Sequence, residues 1–229
     1  MMKKILVMCL IGCMMLTSVA CGNTNEESVQ GQDVVTPSVD NESNIVTELS
    51  MEALENAEET LADEFVYYTY EGEVKITGYE GDSEIVVIPD ELDGCPVVEI
   101  SKMAFRNNET IKAVKVGNNI QIICEAAFGN CTSLEYVIMG ENVGTIEDHV
   151  FVGCTNLVEI RLNEGLLVID EMAIPGTKLP MLIPRSVTEI GAFGISSPVQ
   201  VYAGSTAETY VLDYIEGSGD TEFVYEVIE

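Results

Sequence analysis

Residues 120–142 are IQIICEAAFGNCTSLEYVIMGEN and residues 143–165 are VGTIEDHVFVGCTNLVEIRLNEG, two consecutive copies of one 23-residue pattern. The pattern extends from Val97 to about Ile190. Its apolar columns are Val97, Ile120, Val143 and Leu166; Ile100, Ile123, Ile146 and Ile169; Phe105, Phe128 and Phe151 with Ile174; Ile111, Leu134 and Leu157; Val114, Val137 and Ile160; and Val116, Met139 and Leu162. A fixed period in the twenties indicates one supersecondary unit per copy, stacked so that neighbours bury each other's apolar faces. The sequence therefore predicts a repeat solenoid that is mainly β.

Each copy contains one stretch with the alternation of a strand. Val114 and Val116 flank Lys115, and the same spacing puts Ile138 and Arg161 in the column of Lys115. Glycine and asparagine follow and mark a turn. Strands near residues 87, 115, 138, 161, 182 and 200 predict about six rungs, with a short parallel sheet on one face of the solenoid.

The copies are not all regular. The first carries about five extra residues, PDELD, between Ile88 and Ile100. The fourth runs two residues short, so we expect an irregular outer face near residues 175–184. The fifth reaches its phenylalanine, Phe193, only three residues after Ile190.

Four segments together resemble a known family. They are TSLEYVIMGENVGTIEDHVFVGCTNL (132–157), SVTEIGAF (186–193), the lead-in YEGEVKITGYEGDSEIVVIPDELDGCPVVEI (70–100) and the tail VYAGSTAETYV (201–211). They are similar to the BspA-like leucine-rich repeats of bacterial surface proteins, over about residues 67–213. The resemblance implies a right-handed leucine-rich-repeat superhelix over this range. It also implies display on cells, where some members bind host extracellular-matrix proteins or other bacteria.

The first 20 residues are typical of a secretion signal, with Lys3 and Lys4 before an apolar run of about 12 residues. That run is shorter than the roughly 20 residues that span a bilayer. Cys21 follows Ala20 and resembles the lipidated cysteine of a bacterial lipoprotein, although Ser18 stands where such sites favour leucine. An alternative site ends at Cys13, but only a short apolar run precedes it. Ordinary cleavage and secretion is the other alternative.

Residues 21–49 are polar and acidic, and no Lys or Arg occurs between Cys21 and Val74. This composition predicts a flexible, self-repelling tether. Apolar residues at helical spacing within residues 50–66 predict a helix that caps the first rung, with a continuation of the tether as the alternative. We expect residues 214–229 to form an acidic tail or a cap strand.

The composition excludes several classes of function. The net charge of −29 argues against nucleic acid as a partner, because binding to phosphate depends on Lys and Arg. The chain has a single histidine, His149, and neither a nucleophile-elbow motif nor a phosphate-binding glycine loop. We therefore expect no catalysis and no cofactor.

Metal sites are also not indicated. Cys131 and Cys154 share a repeat column, and we expect them to be free, buried thiols without further zinc ligands. Asp90, Glu91 and Asp93 lack the alternating ligand spacing of a calcium loop. An acidic surface turn is the favoured interpretation of these three residues.

The scarce positive charge suggests where a partner binds. Lys115, Ile138 and Arg161 form one outward column, flanked by Lys112 and by Tyr136 in the adjacent column. We call these five residues the cationic strip. Tyr and Arg are favoured at interface hot spots, and solenoid sheets often form binding faces. The alternative is that the strip is only a solvated face whose cations balance nearby acids.

Together these features predict a monomeric leucine-rich-repeat protein on the extracellular face of the cell membrane, held there by a lipid on Cys21. Its expected role is binding or adhesion to a host, bacterial or envelope protein. The alternative function is that of an assembly subunit in a cell-envelope complex, which only docks another chain.

Overall fold

A computed structural model describes residues 49–196, 198–220 and 222–229, and it shows a β-solenoid with two strands in each regular copy. The signal, Cys21 and nearly all of the predicted tether lie outside the described residues. The strands are β1 (Phe65–Tyr70), β2 (Glu73–Tyr79), β3 (Ile85–Val87), β4 (Glu91–Leu92), β5 (Cys95–Ile100), β6 (Ala113–Lys115), β7 (Ile122–Ile123), β8 (Tyr136–Ile138), β9 (Thr145–Ile146), β10 (Glu159–Arg161), β11 (Val168–Ile169), β12 (Met181–Leu182), β13 (Glu189–Ile190), β14 (Val199–Tyr202) and β15 (Tyr225–Ile228). The helices are α1 (Met51–Glu55), α2 (Thr206–Ser218) and a 3-10 turn at Ala62–Glu64.

The predicted parallel sheet is present and has the order β10-β8-β6-β3; we call it the first sheet. Its register follows the repeat, since Val114 pairs with Val137 and Val137 with Ile160. These valines and the isoleucine are buried, so the residues between them face outward.

A second sheet, parallel from β2 to β13, lies on the other side of the core, and the expectation of one strand per copy missed it. Its path is β1-β2-β5-β7-β9-β11-β13, with β4 paired to β5. The strands added by the regular copies contain only two residues, for example Ile122–Ile123 and Thr145–Ile146. Alternation is not visible over two residues, so the sequence pattern alone does not indicate a strand there.

The predicted rungs near residues 182 and 200 are strands β12 and β14, but they belong to a third sheet with β15. The break between the first and the third sheet follows the short fourth copy. Lys178 and Leu179 donate backbone hydrogen bonds to Leu157 and Val158, but Pro180 has no N–H with which to continue the ladder. The irregularity expected at residues 175–184 is therefore present, and β15 adds a parallel strand beyond the six expected.

A stack of aromatic rings runs through the core. The ring centroids of Phe105 and Phe128 are 4.8 Å apart and those of Phe128 and Phe151 are 5.4 Å apart. Tyr79 extends the stack by one rung at 5.5 Å from Phe105. In the fifth copy the buried residue is Ile195, five residues after Ile190, and Phe193, which departs from the spacing of the column, is exposed.

Phe193 instead belongs to a column of left-handed turn residues. Their φ angles lie between 51° and 61°, and the members are Met103, Ala126, His149, Met172 and Phe193. A second left-handed column four residues later contains Asn107, Asn130 and Gly153. Asparagine and glycine are the residues that adopt this conformation most readily.

The ends of the solenoid are covered by different elements. At the N-terminal end, β1 and β2 form an antiparallel hairpin, and β2 pairs in parallel with β5. At the C-terminal end, α2 buries Ala207 and Val211 next to β13 and β14. Ser205 caps α2 by accepting a hydrogen bond from the Glu208 amide, and Gly219 ends it with a left-handed φ of 67°.

The helix predicted over residues 50–66 is reduced to the five residues of α1. Leu61 is exposed and Phe65 begins β1, because residues after α1 pair with the sheets. Thr60 joins the edge of β3, donating its amide to the Val87 carbonyl and accepting from the Val87 amide through Oγ1. α1 contacts β6 and β8, so it lies on a face of the first sheet.

Candidate protein-binding surface

The outward residues of the first sheet form two aligned columns. One contains Ile85, Ala113, Tyr136 and Glu159, and the other contains Val87, Lys115, Ile138 and Arg161. Strand register therefore brings Lys115, Ile138 and Arg161 together in one column, with Tyr136 beside them, as the sequence spacing predicts. Lys112 precedes β6 and forms an ion pair of 2.8 Å with Glu84.

Helix α1 covers part of this surface. Met51 and Leu54 are buried in a small cluster with Ala113, and Ile85, Tyr136 and Ile138 pack against them. Ser50 caps the helix by accepting a hydrogen bond of 3.2 Å from the Ala53 amide. Burial of two such side chains contributes about 1.5–3 kcal/mol each.

Two cations of the strip hold the C-terminal end of α1. Lys115 donates from Nζ to the Glu55 carbonyl oxygen at 2.8 Å. Arg161 forms ion pairs with the Glu55 carboxylate and, at 3.0 Å, with Glu159. The Glu159 and Glu55 carboxylates raise the pKa of Arg161. Because the Arg161–Glu55 pair is about half exposed, it contributes only about 0–1 kcal/mol, and apolar burial holds the helix in place.

The sequence pattern did not reveal this helix on the strip. The signals for it were present: Met51 and Leu54 are aliphatic residues in an acidic segment, and Ile138 is an apolar residue in an outward column. Helical spacing was visible, but no local feature specifies which surface a five-residue helix covers. That depends on the register of strands that are far away in sequence.

The outward face of the second sheet has the opposite character. Glu99, Glu147, Asp170 and Glu189 lie along it, and Lys75 pairs with Glu99 at 2.5 Å. Burial and the neighbouring carboxylates, Asp148 first among them, raise the pKa of Asp170. Burial, Glu99 and Glu147 raise the pKa of Cys124 to about 12, so its thiol is protonated at neutral pH.

The cysteines of the repeat column are free and buried, as expected. The Cys131 thiol donates to the Phe105 carbonyl oxygen at 3.2 Å, and the Cys154 thiol donates to that of Phe128 at 3.1 Å. Contact with Cys131 and burial raise the pKa of Cys154. Both thiols are therefore occupied as hydrogen-bond donors within the core.

The carboxylates of Asp90 and Asp93, in the acidic turn at residues 90–93, accept hydrogen bonds from other residues of the chain. Asp90 accepts from the backbone and side-chain amides of Asn118, and Asp93 accepts from the Tyr67 hydroxyl at 2.9 Å. Within the described ranges, no group of three or more His, Cys, Asp or Glu side chains is arranged to hold a metal ion. In the same part of the chain, no helix has the length and apolar character needed to cross a membrane.

Among the solved structures that resemble the chain are two bacterial leucine-rich-repeat proteins. A leucine-rich-repeat protein of T. pallidum is 27% identical, with a TM-score of 0.55, over 63% of this chain and 71% of that one. A leucine-rich-repeat protein of Bacteroides ovatus is 24% identical, with a TM-score of 0.50, over 63% of this chain and 40% of that one, and this likeness shows the fold alone. No curated protein matches the sequence.

The profile of the BspA type leucine-rich repeat region matches residues 84–196 in six copies. This range contains β3 to β13 and all five residues of the cationic strip. The repeats of residues 84–196 therefore belong to the BspA-type leucine-rich-repeat family.

Proposed function

We propose that this chain is a lipid-anchored protein of the bacterial cell surface that binds a protein partner through the cationic strip and has no catalytic activity. Membership of a leucine-rich-repeat family supports a protein-binding role. One observation supports the choice of surface: on the outward side of the first sheet, Lys115 and Arg161 adjoin Tyr136 and Ile138.

The strip has the composition of an interface. It combines aromatic and aliphatic side chains with cations, and the opposite face of the solenoid is acidic. Glu55, Glu84 and Glu159 already contact the cations of the strip, so a partner with an acidic epitope is attracted there where its carboxylates replace these groups. Its affinity should fall as salt rises, because charges separated by more than about 8 Å are screened at physiological ionic strength.

Crosslinking on intact cells, followed by identification of the captured proteins, tests the proposal. Host or foreign proteins among the partners favour adhesion, whereas envelope proteins of the same cell alone favour the alternative role in assembly. Capture of no protein at all on the cell surface would contradict a binding function.

Charge reversal then tests the surface with the partner so identified. Lys115→Glu with Arg161→Glu should weaken binding at least tenfold. The matched control is Lys102→Glu with Arg106→Glu, which makes the same change in charge at exposed residues of a turn. Equal loss in both variants would show that only net charge matters, and no loss in either would show that the strip is a solvated face.

A further inference from the structure

Helix α1 is bound to the first sheet in the way that a short peptide ligand is bound. It has five residues, and a helix of that length is not stable by itself in water. Its buried side chains, Met51 and Leu54, lie three residues apart on one face. The sheet therefore supplies the contacts that keep this segment helical.

The surface beneath α1, which we call the α1 seat, has an apolar floor and a cationic end. Ile85, Ala113, Tyr136 and Ile138 form the floor, and Ala113 is fully buried by the contact. Lys115 and Arg161 form the end, where the first bonds the last carbonyl group of the helix and the second pairs with the Glu55 carboxylate. Cations at this end of a helix also face the negative end of its dipole.

The connection between α1 and the solenoid allows the helix to leave the seat. Residues 56–61 contain no helix or strand, and Thr60 is the point at which this segment bonds β3. Detachment of α1 would expose Met51 and Leu54 but would break no bond between strands of the first sheet.

We propose that the α1 seat is a docking site for an acidic amphipathic segment of the partner protein, and that α1 occupies it in cis until such a segment displaces it. The segment has two aliphatic side chains three residues apart, followed by a carboxylate at the end that meets Lys115 and Arg161. The inference rests on the proposed function and names the kind of partner that the strip accepts. Because α1 competes from within the chain, the apparent affinity of the intact protein is lower than that of the open seat.

A fluorescent peptide of residues 47–58, TELSMEALENAE, serves as the probe of the seat. Leu54→Asp puts a carboxylate into the buried contact of α1 and should detach the helix. By fluorescence anisotropy, the chain with this change should bind the peptide at least tenfold more tightly than the wild-type chain does. A control peptide with Leu54→Ser should bind this variant at least tenfold more weakly than the original peptide. Adding Lys115→Ala and Arg161→Ala to the variant should weaken binding and reduce its dependence on salt.

Three outcomes would overturn the proposal. In the first, the variant binds the original and the control peptide equally. In the second, the variant binds the original peptide no more tightly than the wild-type chain does. Sedimentation could instead show a dimer of the wild-type chain that is lost with Leu54→Asp, which would make a second copy the occupant of the seat.

Hydrogen exchange of the wild-type chain gives a second readout if Leu54→Asp unfolds the protein. In α1 the Ala53 and Leu54 amides are bonded to Ser50, at 3.2 and 3.1 Å. Excess unlabelled peptide should speed their exchange and leave the amides of β8 unchanged; unchanged exchange in α1 would contradict displacement. Both assays use purified protein, so a negative result in them does not contradict the proposed function at the cell surface. Conversely, failure to capture a partner on cells does not change the result of these two assays.

Discussion

Phe128 lies between two aromatic rings in the core and is fully buried. Phe128→Ala removes both ring contacts and leaves a cavity that the rigid stack cannot close. The expected loss is about 3–5 kcal/mol of unfolding free energy. In a domain of this size that corresponds to a fall in melting temperature of roughly 6–20 °C.

Phe193→Ala is the matched control, since Phe193 is 55% exposed and lies outside the stack. It should lower the melting temperature much less than Phe128→Ala does. Thermal denaturation followed by circular dichroism measures both variants. Equal effects would show that the ring stack is not the source of the stability.

Asp170 provides a prediction about pH. Its carboxyl has a raised pKa from burial and from the nearby Asp148, Glu189 and Glu147 carboxylates. The folded state therefore binds the proton more tightly than the unfolded state, so this group lowers stability as the pH rises from about 3.9 through the raised value. Asp170→Asn should raise the melting temperature at pH 7, and the gain should vanish near pH 3.

Asp82→Asn removes the same charge at an exposed position and serves as the control for net charge. It should raise the melting temperature less than Asp170→Asn does at pH 7. Melting curves of both variants between pH 3 and pH 8 decide the matter. A gain for Asp170→Asn that is the same at every pH would contradict a titrating origin.

At the scale of elements, the turns between strands depend on left-handed residues. Gly153 has a φ of 76°, and a Cβ atom added there would lie 2.2 Å from Oδ1 of Asn130. The Asn130 side chain would have to move, although its Nδ2 donates to Oδ1 of Asn107 at 3.0 Å. Gly153→Ala should therefore combine backbone strain of about 1–2 kcal/mol with a cost of about 1–3 kcal/mol for the collision.

Gly72→Ala separates these two contributions. Gly72 has a φ of 84° in the β1–β2 turn, and a Cβ atom there would meet nothing within 4 Å. Chemical denaturation should show that Gly72→Ala lowers the free energy of unfolding through backbone strain alone, and that Gly153→Ala lowers it further. If the two losses of unfolding free energy are equal, the close contact between neighbouring turns does not contribute to the cost of Gly153→Ala.

The elements also show how far the sequence predicts the fold. The strands of the first sheet could be predicted because Val114 and Val137 alternate with outward residues in every copy. The strands that the regular copies add to the second sheet contain two residues each and are defined by pairing with neighbouring copies, as Ile123 pairs with Ile146. That pairing is a property of stacked copies, and no single copy contains its signal.

For the candidate surface, too, the sequence predicts the part that lies within the repeats. Repeat spacing placed Lys115, Ile138 and Arg161 in one column, because strand register preserves the spacing. It did not place α1 on them, since that contact joins Glu55 to Arg161 across 106 positions of the chain. Contacts between elements outside the repeat have no periodic signal in the sequence.

At the scale of the whole molecule, charge is distributed unevenly around the solenoid. The net charge is −29, yet the first sheet presents Lys115 and Arg161 next to apolar residues. Glu55 and Glu159 pair with Arg161, so an acidic partner is attracted at short range, where its carboxylate takes their place.

The proposed attachment is a lipid on Cys21. Cys21→Ala removes the thiol to which the lipid would be attached, so the protein should lose its label when cells are grown with radioactive palmitate, and it should be released into the medium or remain unprocessed. Two acyl chains hold a protein on a membrane more stably than one, so the change in fractionation should be large. Cys13→Ala is the control in the same leader and should retain both the label and the membrane association. Loss of the label with Cys13→Ala alone would move the anchor to Cys13, and equal labelling of wild type and Cys21→Ala would contradict the anchor.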